Sequence, residues 1–351
     1  MDITRIDRNF LRGSVFEAKD FEWYDVLEKP FEIRGLAVHE GEKFCRLPLT
    51  LLPRLSDGVN TLAWHTAGGR VRFETDSAAL VFRVRSLNTG MMSHMPLTGS
   101  AGIDVYSDGV FVASVRPAND RGGYFEGTAN LGEGLHSVEV NLPLYNGITN
   151  MYVGVPRGKS VSAPKKYGID VPVVYYGSSI TQGGCASRPG NSYQGFISRW
   201  LDSDHINLGF SGNAKGENEM AEYIASLRMS AFVLDYDHNA PNPEHLKATH
   251  ENFFKTIRAA QPQLPIVIVS RPDWGHDAED AKKRRAVCRR TYLNALKAGD
   301  KNVFYVNGYR LFGAKDSDAC TVDGTHPNDL GFYKMAKTIY PVLRAALETK
   351  K

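Results

Sequence analysis

Near residue 165 the hydrophobic rhythm of this chain changes, and no single kind of sheet satisfies both halves. Before it, Leu80, Phe82 and Val84 alternate with Val81, Arg83 and Arg85, and Val138, Val140, Leu142 and Leu144 alternate with Ser137, Glu139, Asn141 and Pro143. A period of two belongs to strands with one buried face. Gly68-Gly69, Ser107-Asp108-Gly109 and Gly132-Glu133-Gly134 supply the residues that tight antiparallel connections require, with no long helical pattern between them. A β-sandwich of jelly-roll type is expected. After residue 165, apolar runs at 172–176, 205–208, 231–235, 265–269 and 303–306 predict strands, and amphipathic stretches at 193–201, 217–227, 243–260, 277–298 and 329–347 predict helices. Apolar strands joined by helices imply an α/β fold, a parallel sheet covered on both faces in a three-layer α/β/α sandwich.

Between the two rhythms, Pro156 to Lys166 is short, basic and rich in turn formers, so it reads as a linker dividing the chain into domains 1–165 and 166–351. A chain of 351 residues is long enough for two cores. Hydrophobic residues at 42% and charged residues at 23% exclude a disordered or collagen-like chain. The net charge of +3 is not gathered into a basic tract, so nucleic acid is not an expected partner. No apolar run approaches the roughly 18 residues that suggest a membrane span. The opening segment Met1 to Arg8 is charged and shows no secretory signal, and Cys45, Cys185, Cys288 and Cys320 are scattered as reduced thiols would be. A cytoplasmic location is the expectation from these features.

Chemistry enters with Val173-Val174-Tyr175-Tyr176-Gly177-Ser178-Ser179, a buried strand that ends in small residues. A sharp turn there presents Ser179 outside the carboxyl end of a parallel strand, where open α/β sheets bind ligands. Read alone, the two serines make an ordinary polar turn. Near the far end, Asp323-Gly324-Thr325-His326 changes the balance. An acid three residues before a histidine lets one tight turn carry both, with the carboxylate placed to hold the imidazole as a general base.

These two stretches resemble the first and last signature blocks of the SGNH (GDSL-type) hydrolases, in order and in their places after strands. Asn207-Leu208-Gly209-Phe210-Ser211-Gly212-Asn213 and Asp237-His238-Asn239-Ala240-Pro241 resemble two further blocks. The resemblance implies a flavodoxin-like sheet, Ser179 as nucleophile, His326 as base and Asp323 as its orienting acid. It also implies an oxyanion hole made by the N–H groups of Ser179 and Gly212 with the Asn239 side-chain amide. Without it, Gly212 is a turn residue and Asn239 a cap. Upstream, Gly102-Ile103-Asp104-Val105-Tyr106 resembles the Gly-x-Asp-Leu-Tyr motif of a β domain that precedes the hydrolase in one subgroup, so the likeness spans the chain. Its structural reading puts Ile103 and Val105 on one face of a strand and Asp104 and Tyr106 on the other.

Two positions depart from the blocks: Ser178 stands where Asp is common, and Asp237 where Gly is common. Asp237, His238 and Trp274 are candidate substrate contacts, with Trp274 either stacking on a sugar or packing. The loop Met91-Met92-Ser93-His94-Met95-Pro96 is expected to pack between domains, with lining a substrate pocket as the alternative, and His94 is within reach of the site but not counted among its residues. The implied activity is a serine esterase that removes a small acyl group, acetyl first, from a small-molecule or oligosaccharide ester through an acyl-enzyme. It needs no metal and no organic cofactor. Two other readings stay open: an acyltransferase using the same residues, and a carbohydrate-binding protein with an inactive hydrolase domain.

Overall fold

The computed structural model describes residues 20–87, 92–118, 123–272 and 278–348. Trp274, Met91 and the charged opening segment lie outside them. In the first half, one antiparallel sheet runs in the order Phe21–Asp25, Ile148–Pro156, Ala79–Ser86, Gly123–Asn130. A second runs Val161–Ser162, Arg70–Thr75, His136–Asn141, Ile103–Ser107, Val110–Val115, with Glu32–Arg34 also on Arg70–Thr75. Leu80, Phe82 and Val84 of the first sheet meet Val71, Phe73, Val138 and Val140 of the second in one core, so the predicted alternation closes a β-sandwich.

The stretch read as a linker is partly a strand. Val161 and Ser162 pair with Thr75 and Glu74, and the Ser160 carbonyl accepts from Thr75 Oγ1 at 2.7 Å. Arg70–Thr75 would otherwise leave ladder groups unpaired there, and a two-residue edge strand is too short for hydrophobic periodicity to reveal.

In the second half, β1 (Ile169–Gly177), α1 (Tyr193–Leu201), β2 (Ser203–Gly209), α2 (Asn218–Ser226), β3 (Ala231–Asp235), α3 (Pro243–Ala260), β4 (Ile266–Val269), α4 (Ala278–Lys297), β5 (Val303–Val306) and α5 (Asp329–Glu348) follow in turn. The strands pair in the order β2-β1-β3-β4-β5, all parallel. This is the flavodoxin-like order. The β1 ladder shifts between Ile169 and Val173, across Pro172, which has no N–H to give. Along β1 and β3, Val174, Tyr176, Phe232 and Leu234 face α2, α3 and α4, while Val173, Tyr175, Ala231 and Val233 face α1 and α5. Both faces are dry, as near-continuous apolar strands require. On α3, His250 is buried against the Tyr236 ring, with Nδ1 2.8 Å from Thr291 Oγ1, and burial holds it down at about 4.

The two halves share their cores. Cys45, Leu47 and Val59 join the cluster on one face of the parallel sheet, and Ala67, Met95, Leu144 and Tyr145 join the other. Met92 and Met95 therefore pack between domains as their loop's composition suggests. Polar contacts fasten both ends. Near the start of β2, Arg70 pairs with Asp204, and Arg34 reaches Asp204 at 3.2 Å and Asp170 at 2.9 Å.

At the opposite end, Asp104 of the Gly-x-Asp motif is fully buried. It accepts from Gly190 N–H at 2.8 Å, Arg188 at 3.1 Å and Asn141 at 2.8 Å. Tyr106 beside it bonds Arg188, so the polar face of this strand is a seam. Burial pushes the Asp104 carboxyl up, and Arg188 with Gly190 pulls against it. Removing a carboxylate from such a pairing strands its partners without solvent. Asp104→Ala is expected to lower folding stability by roughly 3 kcal/mol, read as an earlier urea midpoint.

Candidate active site

The site begins where β1 runs out of side-chain room. A Cβ on Gly177 would stand 2.4 Å from the Asp235 carbonyl, and one on Gly209 would stand 2.2 Å from Gln182 N, so only glycine lets the strands end this close together. Ser178 then caps a single helical turn, Ser179–Gln182, its hydroxyl accepting from Ile180 N–H at 3.1 Å. The serine that replaces the common Asp thus has a structural task. As the first residue of that turn, Ser179 has an N–H without an intrahelical acceptor. Its carbonyl is held by Gly184 N–H at 2.8 Å and by the Tyr145 hydroxyl at 3.1 Å. Beneath the turn, Asp235 accepts from Thr181 at 3.1 Å and Tyr193 at 3.0 Å, and burial with Asp237 nearby pushes its carboxyl well up.

Two more loops rise at the same level, because Gly177 is in register with Gly209 on one side and Asp235 on the other. After β2, Phe210 N–H donates to Gly177 O at 2.9 Å and Ser211 N–H to Gln182 Oε1 at 3.0 Å. Gly212 has φ +68°, and its N–H meets no acceptor among the described residues. After β3, the Asn239 amide donates to Phe210 O at 2.7 Å, tying the third loop to the second. One hydrogen of that NH₂ is used, and the other remains for an acceptor outside the protein.

The fourth part comes from the turn before α5. His326 Nε2 is 2.9 Å from Ser179 Oγ, and its Nδ1 is 2.7 Å from Asp323 Oδ2. Asp323 Oδ1 accepts from the backbone N–H groups of Thr325 and His326 at 3.0 and 2.7 Å. Partial burial pushes the Asp323 carboxyl up, but these bonds and the imidazole outweigh it and hold it down at about 2. An ionised Asp323 keeps the proton on Nδ1 and leaves Nε2 to accept from the serine hydroxyl. Ser179 is only 4% exposed, while His326 and Asp323 stand partly open to solvent.

The candidate substrate contacts are distributed differently. Asp237 is fully buried, turned into the protein by Arg271 N–H at 3.0 Å, and its burial-raised carboxyl does not reach the cleft, which corrects its assignment as a substrate contact. An acid in place of glycine finds room inward, over α4, beside Cys288 and below Arg284. His238 is a neighbour of His326, and burial with Arg271 and His326 holds its imidazole down at about 3. Trp274 lies outside the described residues.

Other residues come from the sandwich. His94 lies 5.8 Å from His326 between ring centroids, so it does reach the site. Its irregular Met-rich loop was the one signal for it. Arg46 is fully buried and donates to Asn207 O at 3.1 Å, Gly209 O at 2.6 Å and Leu62 O at 2.6 Å, with its guanidinium 4.5 Å from the Phe210 ring centroid. Burial pulls it down to about 9. Gln182 Nε2 bonds Leu144 O at 3.0 Å and His65 Nδ1 at 3.2 Å. Nothing in the local sequence marks Arg46, His65 or Tyr145.

The profile of the GDSL-like Lipase/Acylhydrolase family matches residues 170–344, and one described as the N-terminus of Esterase_SGNH_hydro-type matches residues 21–161. The chain belongs to the SGNH (GDSL-type) hydrolases. Among solved structures, a Bacteroides ovatus ATCC 8483 protein described as a GDSL-like lipase is similar to this SGNH hydrolase at 28% identity. That match covers 93% of this chain and 98% of the other, with a TM-score of 0.84. The salicylyl-acyltransferase SsfX3 of a tetracycline biosynthetic pathway shares the fold at 20% identity, covering 94% and 98%, with a TM-score of 0.79. So does an acetyl xylan esterase, Est2A, from Butyrivibrio proteoclasticus, at 12% identity, covering 93% and 99%, with a TM-score of 0.59. No curated protein matches this SGNH hydrolase in sequence.

Asn239 offers a sharp check on the site. With its second amide hydrogen available to developing negative charge, Asn239→Ala is expected to lower kcat by roughly 100 to 1,000 fold with little change in KM. A residue that only tied Phe210 would cost about 1 kcal/mol of stability and leave kcat near wild type. Initial rates on an activated ester and a melting curve separate the two.

Proposed function

We propose that this SGNH hydrolase is a serine esterase that removes a small acyl group, acetyl first, from a carbohydrate ester. The observation that carries the reading is the unbroken hydrogen-bonded line from Asp323 through His326 to Ser179. In the first step His326 Nε2 takes the Ser179 proton as Oγ attacks the ester carbonyl. The oxyanion is met by the N–H groups of Ser179 and Gly212 and the Asn239 amide. His326 returns the proton to the departing sugar oxygen. Water, activated by the same imidazole, then frees the acid.

A short acyl group reaches a nearly buried hydroxyl with least obstruction, which supports a small acyl portion. The sugar portion rests on the fold shared with Est2A, an analogy of architecture. In this reading the chain divides near residue 165 into a supporting sandwich and the unit that carries the reaction. A panel of acetylated sugars, assayed with and without an added alcohol, tests it: free acetate is the expected product. Predominant transfer to the alcohol would make the protein an acyltransferase, and loss of no activity in folded Ser179→Ala would remove the nucleophile.

The pH profile follows from the low pKa of Asp323. Because that carboxylate stays ionised far below neutrality, its protonation does not shape the acid limb. With Asp323 ionised throughout, log(kcat/KM) is expected to fall toward acid with unit slope, the mark of a single essential base. A flat profile from about pH 5 to 8 in folded protein would contradict a histidine base.

A further inference from the structure

Beside the Ser179 hydroxyl, His326 has two neighbours that the reaction does not use. His94, Cys185 and His326 each offer a ligand atom, and the three atoms lie within 4.8 Å of one another, the only such His, Cys, Asp or Glu group among the described residues. We propose that these three side chains bind a soft divalent cation of the zinc class, which switches the site off by taking His326 Nε2 away from Ser179.

Two imidazole nitrogens and one thiolate suit zinc and its thiophilic relatives, and they do not suit magnesium or calcium, which take oxygen ligands. Around a tetrahedral zinc, with bonds of about 2.0–2.3 Å, ligand atoms stand roughly 3.3–3.6 Å apart. From separations of up to 4.8 Å the group has to draw together by at most roughly 1.2–1.5 Å. His94 is exposed and can bring its own imidazole closer to the other two ligands through its two side-chain torsions. Three protein ligands leave a fourth position for water.

Two observations besides proximity support the assignment. Metal-bound histidines usually donate their other ring N–H to a carboxylate, and Asp323 already holds His326 Nδ1 at 2.7 Å. Cys185 also carries a φ of +74°, a strained conformation for a residue with a side chain, and the fold keeps it where its sulfur meets the two imidazoles. Binding then replaces the thiol proton by a metal–sulfur bond and fills the Nε2 lone pair. One proton leaves to solvent and nothing is oxidised.

Binding and inhibition are tested separately, since inhibition rests on the esterase reading and binding does not. The full chain is titrated with Co²⁺ under anaerobic conditions. A near-ultraviolet thiolate-to-cobalt absorption is expected at about one equivalent, displaced by Zn²⁺, with release of about one proton per metal. It should vanish in Cys185→Ser and require about tenfold or more Co²⁺ in His94→Ala, each checked for folding by circular dichroism. No band in wild type, or an undiminished band in folded Cys185→Ser, overturns the site. Zn²⁺ is then added to wild type and His94→Ala turning over an activated ester, each scored against its own uninhibited rate. Inhibition that shifts about tenfold in His94→Ala supports the switch, and equal sensitivity overturns it. A protein that binds cobalt and turns over no ester keeps the metal site and loses the proposed function.

Discussion

One hydrogen-bond register underlies the whole site. β1 lies between β2 and β3 with Gly177 opposite both Gly209 and Asp235, so three strands end at one height and three loops leave together. Parallel ladders are evenly spaced, and their register is held by the apolar pattern on two buried faces. A slip of one residue would exchange Val174 and Tyr176 with Val173 and Tyr175 between the two cores. It would also bring Ser178 or Ile180 to the place of Ser179. Packing the sheet and placing the hydroxyl are thus one event.

The sandwich is built into the back of this arrangement. Arg46 takes up carbonyls that the end of β2 leaves unused, and Tyr145 holds the carbonyl of Ser179 itself. A fully buried guanidinium without a carboxylate beside it is expensive unless carbonyl dipoles and an aromatic face surround it. Here three carbonyls and Phe210 do so. The same contacts stiffen the loop that carries Gly212. That coupling gives the Gly-x-Asp seam a consequence for chemistry as well as for stability, since separating the halves would expose the turn from behind.

Electrostatics sort the ionisable groups around Ser179 into distinct states. Asp323 is held ionised at the rim, while Asp235 and Asp237 below are pushed toward the neutral form by burial. His65 and His238 are held down at about 4 and about 3, so neither contributes a charge near neutrality. One carboxylate therefore governs the imidazole that faces the hydroxyl.

The second half of the chain was legible because its signals are local. β3, β5, α1 and α3 have the bounds that apolar runs and caps indicate, and Asp323 and His326 are three residues apart, a spacing that one turn converts into a 2.7 Å hydrogen bond. The strand and turn that carry Ser179, the sandwich alternation and the family blocks were legible for the same reason. Long-range contacts were not. Arg46 meets Asn207 across 161 positions, and no periodicity or motif records such a pairing. Likewise only packing decided that Asp237 turns inward toward Arg271 and that His94 arrives beside His326. Side-chain direction in a loop depends on which space the rest of the fold leaves open. A sequence specifies the residue types brought to that space, and the tertiary structure determines which of them face each other.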